Sequence, residues 1–148
     1  MKSLNRAMLI AVLVLVAIVS AACGGGSSGG AGKPEDAAKA FIEATFKGDF
    51  TALKNSVCDK LKGDLTTEAE ATIKAGLEQM GGAGNLDTSA ITYTYDSANK
   101  SVTLGGTMKA TVQGVSMDIP VDTMFPGGLP VVEEGGGWKV CPATVLGG

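Results

Sequence analysis

Three cysteines, two tyrosines and a complete absence of histidine limit the chemistry open to this 148-residue chain. Without histidine it lacks the commonest general base and the commonest metal ligand. Cys58 and Cys141 stand far apart in sequence with no companion ligands, so they do not form a zinc-site pattern. Asp118 and Asp122 are the carboxylates nearest to a working pair, but four residues along a strand separate them by roughly 13–14 Å. A carboxylate pair acting on one bond needs about 5–9.5 Å. Both lie on the polar side of their strand, opposite Met117 and Ile119. Tyr93 and Tyr95 point inward by strand parity and offer hydroxyl donors, the ordinary alternative being core tyrosines. No catalytic residue, metal ligand or cofactor site is assigned on these grounds. Other motifs fail on context. The "GGAG" at 81–84 follows a helix instead of joining strand to helix, so it is not a dinucleotide loop.

The third cysteine stands apart. Lys2 and Arg6 form a positive head, and the apolar run "AMLIAVLVLVAIV" fills positions 7–19. Small residues follow up to Cys23. Positive head, short apolar core and small-residue cleavage site make a secretory signal. The run is shorter than the roughly 20 residues of a spanning helix. Ser20-Ala21-Ala22-Cys23 resembles the lipobox of bacterial lipoproteins, with Ser20 departing from the usual Leu. That resemblance implies cleavage before Cys23 and a diacylglycerol on its thiol. The expectation is a signal peptide over 1–22, a lipidated cysteine with a Gly/Ser tether over 23–33, and a folded domain over 34–148. The chain would then be anchored on the extracytoplasmic side of a bacterial cell membrane. The nine residues Gly24–Gly32 have an r.m.s. reach of roughly 15–18 Å.

Loss of residues 1–22 removes two positive charges and no acid, taking the net charge from −3 to −5. This disfavours nucleic acid and a polybasic membrane patch as partners. An even pair of cysteines in an oxidising compartment reads as one disulfide, Cys58–Cys141.

The elements that carry these residues divide the chain in two. "KPEDAAKAFIEATFKGDF" predicts a helix with Pro34 in its first turn, acids at its positive end, Ala37, Phe41, Ala44 and Thr45 on one face, and Gly48 as its stop. "DFTALKNSVC" predicts a second, capped by Asp49. Thr67-Glu68-Ala69-Glu70 reads as a capping box opening a third, which carries Ala69, Ile73, Leu77 and Met80 inward and ends at Gly81-Gly82. From Ile91 the period falls to two. One strand carries Ile91, Tyr93 and Tyr95 inward. A second carries Val102, Leu104, Met108, Ala110 and Val112. A third carries Val115, Met117, Ile119, Val121 and Phe125. A last hairpin turns through Gly135-Gly136-Gly137. Helices first and meandering strands after give an α+β domain with helices over one face of a curved sheet.

"AAKAFIEATFKGDFTAL" and "EEGGGWKV" resemble the nuclear transport factor two-like superfamily, and within it bacterial lipoproteins similar to SnoaL-like and lumazine-binding-like domains. The resemblance implies a cystatin-like cone, an α+β roll with three N-terminal helices on a strongly curved antiparallel sheet of four to five strands. In such a cone the chain ends carrying Cys58 and Cys141 meet. The cone encloses a pocket, here lined by Phe41, Tyr93, Tyr95, Met108 and Met117. A non-catalytic module binding a small apolar ligand, or a cell-envelope protein, follows from this. A homodimer through the sheet face is the further option. The alternative is a cone-fold isomerase, dehydratase or cyclase with Asp and Tyr as acid-base groups. Fold alone does not choose between them.

Overall fold

The structure, a computed structural model, describes residues 30–142. The apolar segment 1–22, Cys23 and the tether up to residue 29 lie outside the described residues, as do residues 143–148.

Helix α1 spans Pro34–Lys47, with proline in its first turn and Glu35 and Asp36 beside it. Gly48 ends it in the left-handed region at φ 68°, where a Cβ would be strained. The Asp49 N–H donates to the Ala44 carbonyl at 2.9 Å, closing the helix end. Phe41, Ile42 and Phe46 are buried, while Thr45 is half-buried and returns its hydroxyl to the Phe41 carbonyl at 2.8 Å. Helix α2 spans Phe50–Ser56, and the Asp49 carboxylate accepts its Ala52 N–H at 2.9 Å, as the cap reading requires. Helix α4 spans Thr67–Gln79. Its cap is Thr66, which accepts the Ala69 N–H, so the expected box opening at Thr67 does not form: the third helical position holds Ala69 and no acid. Only Leu77 of α4 is fully buried; Ala69 and Ile73 are half-buried.

Two single-turn helices, α3 (Asp59–Lys62) and α5 (Val121–Met124), bring the α-helices among the described residues to five, not the three expected. Both span barely one turn, too short for an apolar residue to recur on one face, so periodicity does not mark them. In α5 this corrects the third strand, which stops at Pro120. Val121 is buried as part of a helix, and the Thr123 hydroxyl donates to the Pro120 carbonyl at 2.7 Å.

The strands are β1 (Leu86–Asp87), β2 (Ile91–Asp96), β3 (Ser101–Val112), β4 (Val115–Pro120), β5 (Leu129–Glu134) and β6 (Gly137–Val140). They form one strongly curled antiparallel sheet of six strands. The 12-residue β3 is its spine. One half pairs with β2, from Ile91↔Gly106 to Asp96↔Ser101, and the other with β4, from Thr107↔Pro120 to Val112↔Val115. Gly106, at φ 82°, marks the change between them: a Cβ there would lie 2.2 Å from the Ala90 carbonyl oxygen. Two-residue turns close the β3–β4 and β5–β6 hairpins. Both turns have positive φ at their two central residues, Gln113-Gly114 and Gly135-Gly136, the type I′ form that matches strand twist.

Helix α1 lies across β2, β3, β5 and β6. Between them sit Phe41, Ile42, Val102, Leu104, Met108, Val131 and Val140 in one buried cluster. The Gly/Ser-rich segment ends inside the fold. Ala31 exchanges backbone hydrogen bonds with Trp138 of β6, at 2.8 and 3.2 Å, and Gly30 packs on Gly137. Gly30 and Ala31, expected within the 23–33 tether, are therefore held against β6.

Candidate functional site

The outer face of α1 repeats Lys39, Glu43 and Lys47 every four residues, so the three line up along the helix. Glu43 receives Lys47 at 2.9 Å and Lys39 at 3.9 Å. These pairs are largely exposed, and such pairs contribute only about 0–1 kcal/mol. The Lys47 and Lys39 ammoniums can therefore leave Glu43 for another anion at little cost. Facing this row, β1 turns into β2 through Asp87, Thr88 and Ser89. The Asp87 carboxylate accepts the Ser89 N–H at 2.9 Å. Hydrogen bonds from Ser89, aided by Lys109, hold its pKa below the usual carboxylate value.

Between the two walls lies a groove of about 580 Å³, floored by Ile91 and Tyr93. Tyr93 is half-buried. Burial, and secondarily the negative charge of Glu43, push its phenol up to about 12. It remains a neutral donor through the whole physiological range. Two lysines, Glu43 and Asp87 balance in charge, so the groove presents donors and acceptors without a net field. A smaller cavity of about 300 Å³ shares Leu86 and Asp87 and continues to Lys109 and Ser116.

Of the five residues expected to line one apolar pocket, only Tyr93 lines this groove. Phe41 and Met108 are closed into the core at 3% and 0% exposure. Tyr95 packs edge-on to Trp138, with ring centroids 5.4 Å apart. Met117 is 47% exposed, which corrects its placement as pocket lining. Parity puts it on the inner face beside Ala110, yet Ala110 is buried and Met117, on the edge strand, is exposed. Asp118 and Asp122 are exposed. Comparison with protein-family models, with curated proteins and with solved structures finds no match.

Cys58 and Cys141 are bonded, with Cα atoms 5.3 Å apart. The cause is backbone register. After α2 the chain runs extended, and Val57 forms a parallel bridge with Val140. One step further along both chains sets Cys58 beside Cys141, just beyond the end of β6. The Cys58 N–H donates to the Val140 carbonyl at 3.0 Å, and the Cys141 N–H donates to the Pro130 carbonyl at 2.8 Å. Strand parity does not apply to Cys141, because the strand has already ended.

Sequence reasoning missed Lys139. It is buried at 5% exposure, and its ammonium donates to the Asn55 carbonyl in the last turn of α2. A cation there complements the negative helix end. Its position on an apolar-flanked strand gave no sign of this, because the partner is a backbone atom 84 residues away. Among the described residues no three or more Cys, Asp or Glu gather to hold a metal ion, and no helix is long and apolar enough to cross a membrane.

Proposed function

We propose that this chain is a lipid-anchored, extracytoplasmic binding module that acts through its surface. The anchor reading rests on the order of positive head, apolar run, Ser20-Ala21-Ala22-Cys23 and Gly/Ser tether. The Cys58–Cys141 bond supports export, since such bonds persist in oxidising compartments. We read the curled sheet with α1 across it as a nuclear transport factor two-like cone.

The observation that carries surface binding is the packing of the interior. Phe41 and Met108, the residues an apolar ligand would have to touch, are spent on the core. The groove beside Tyr93 stays open among the described residues, and its charged side chains balance. It suits a small polar molecule or the polar side chains of an envelope protein, held by hydrogen bonds from Tyr93, Ser89 and the two lysines. Proton transfer is not required of any of these groups.

Membrane fractionation tests the anchor. Cys23→Ala should move the protein from the membrane to the soluble fraction, or leave it as an uncut precursor. A variant that stays membrane-bound at its processed size would overturn the reading.

A further inference from the structure

The outer edge of β4 has no strand beside it among the described residues; its only partner is β3. Natural sheets protect such edges with charge, proline, bulges or a covering segment. Val115–Pro120 carries a single charge, Asp118, and its proline only at the last position, and it is exposed almost throughout, with Val115 at 62% and Met117 at 47%. Val115, Met117 and Ile119 share the inner face, opposite Val112, Ala110 and Met108.

We propose that β4 pairs antiparallel with β4 of a second copy of this chain, about a two-fold axis at Met117. Backbone geometry selects this register. The type I′ turn at Gln113-Gly114 makes Val112↔Val115 a hydrogen-bonded pair, and such pairs alternate along an antiparallel ladder. Val115, Met117 and Ile119 therefore direct their N–H and carbonyl groups to β3. Ser116 and Asp118 direct theirs outward. A two-fold at Met117 sets Ser116 opposite the second copy's Asp118, and Asp118 opposite its Ser116. Four backbone hydrogen bonds form, and each free N–H of this edge is used. Pro120, which has no N–H, falls outside the paired stretch.

Side chains agree with the backbone. Val115 meets Ile119 of the second copy, Met117 meets Met117, and the inner faces of both sheets stay on one side. Asp118 meets a serine. The competing two-fold at Asp118 would oppose two aspartates and waste a bond on Pro120; like charges directly opposite are destabilising. The strand is thus complementary to itself in hydrogen bonding and apolar surface, and the register keeps its one charge from facing its copy directly. The pairing leaves the groove beside Tyr93 free and does not depend on the lipid anchor.

Cysteine cross-linking on the full chain in its membrane tests this. Met117 pairs with itself at a non-hydrogen-bonded position, where Cα atoms lie about 4.5 Å apart, within disulfide reach. Met117→Cys should give a dimer of twice the mass on a non-reducing gel. Thr103→Cys, exposed on β3 away from this edge, should not. Adding Ser116→Pro to Met117→Cys removes one outward N–H donor from each copy while sparing the ladder to β3, and should lower the dimer about tenfold. A Met117→Cys chain that stays monomeric, cross-links no better than Thr103→Cys, or joins only proteins of other sizes overturns the proposal. So does a dimer that Ser116→Pro leaves unchanged in a folded chain.

Discussion

Tyr93 is the residue on which the groove depends, and its ionisation reports the surroundings assigned to it. Burial and the charge of Glu43 raise its pKa from the ordinary 10 to about 12. Because the folded state holds this proton more tightly than the unfolded chain, its contribution to stability is complete below about pH 10. It falls as pH rises from there towards 12. Spectroscopic titration at 295 nm should show a phenol ionising near pH 12 that Tyr93→Phe removes. A Tyr93 titrating at the ordinary value would mean that the groove floor is open to water. Glu43→Gln should lower that pKa only in part, since burial is the larger cause. The sequence pointed to Tyr93 by parity alone. It could not supply Asp87, Thr88 and Ser89 as the opposite wall, because β1 is two residues long and shows no period.

At the scale of elements, local signals were legible where a side chain acts on its own neighbours. Asp49, Gly48 and the alternation of β2 and β3 are examples. Coverage was not legible. Alternation in β4 says which residues share a face, but Val115 and Met117 are exposed while Met108 and Ala110 on the same face of β3 are buried, so cover stops short of the edge strand. Ala31 is the opposite case. A segment of tether composition is drawn into the sheet because glycine on both sides lets two backbones meet. A Cβ on Gly137 would sit 2.5 Å from the Gly30 Cα, and one on Gly30 would sit 2.6 Å from the Trp138 carbonyl oxygen. Gly137→Ala should therefore release residues 30 and 31 from β6 while leaving the β5–β6 ladder paired. Hydrogen exchange checks this: the Trp138 N–H, which donates to the Ala31 carbonyl, should exchange faster in the variant. Unchanged protection would mean that the contact tolerates a methyl group.

For the whole molecule, one covalent link and one proposed anchor define how the domain is held. The Cys58–Cys141 bond spans a sequence separation of 83 residues and ties the helical half to the last strand. Closing a loop of that length constrains the unfolded chain by about 4–5 kcal/mol in the entropy account. This is a large share of the roughly 5–15 kcal/mol of a typical domain. Replacing both cysteines with serine should lower the urea midpoint by a corresponding amount, and loss of less than about 1 kcal/mol would show that the Val57–Val140 register holds without the bond. The cone likeness suggested that these ends meet; the parallel bridge supplies the physical reason. The anchor is the central claim, and the mass of the mature N-terminal peptide tests it most directly. The account predicts a peptide beginning at Cys23 with diacylglycerol on its thiol. A mature chain beginning elsewhere, or an unmodified Cys23, would contradict it.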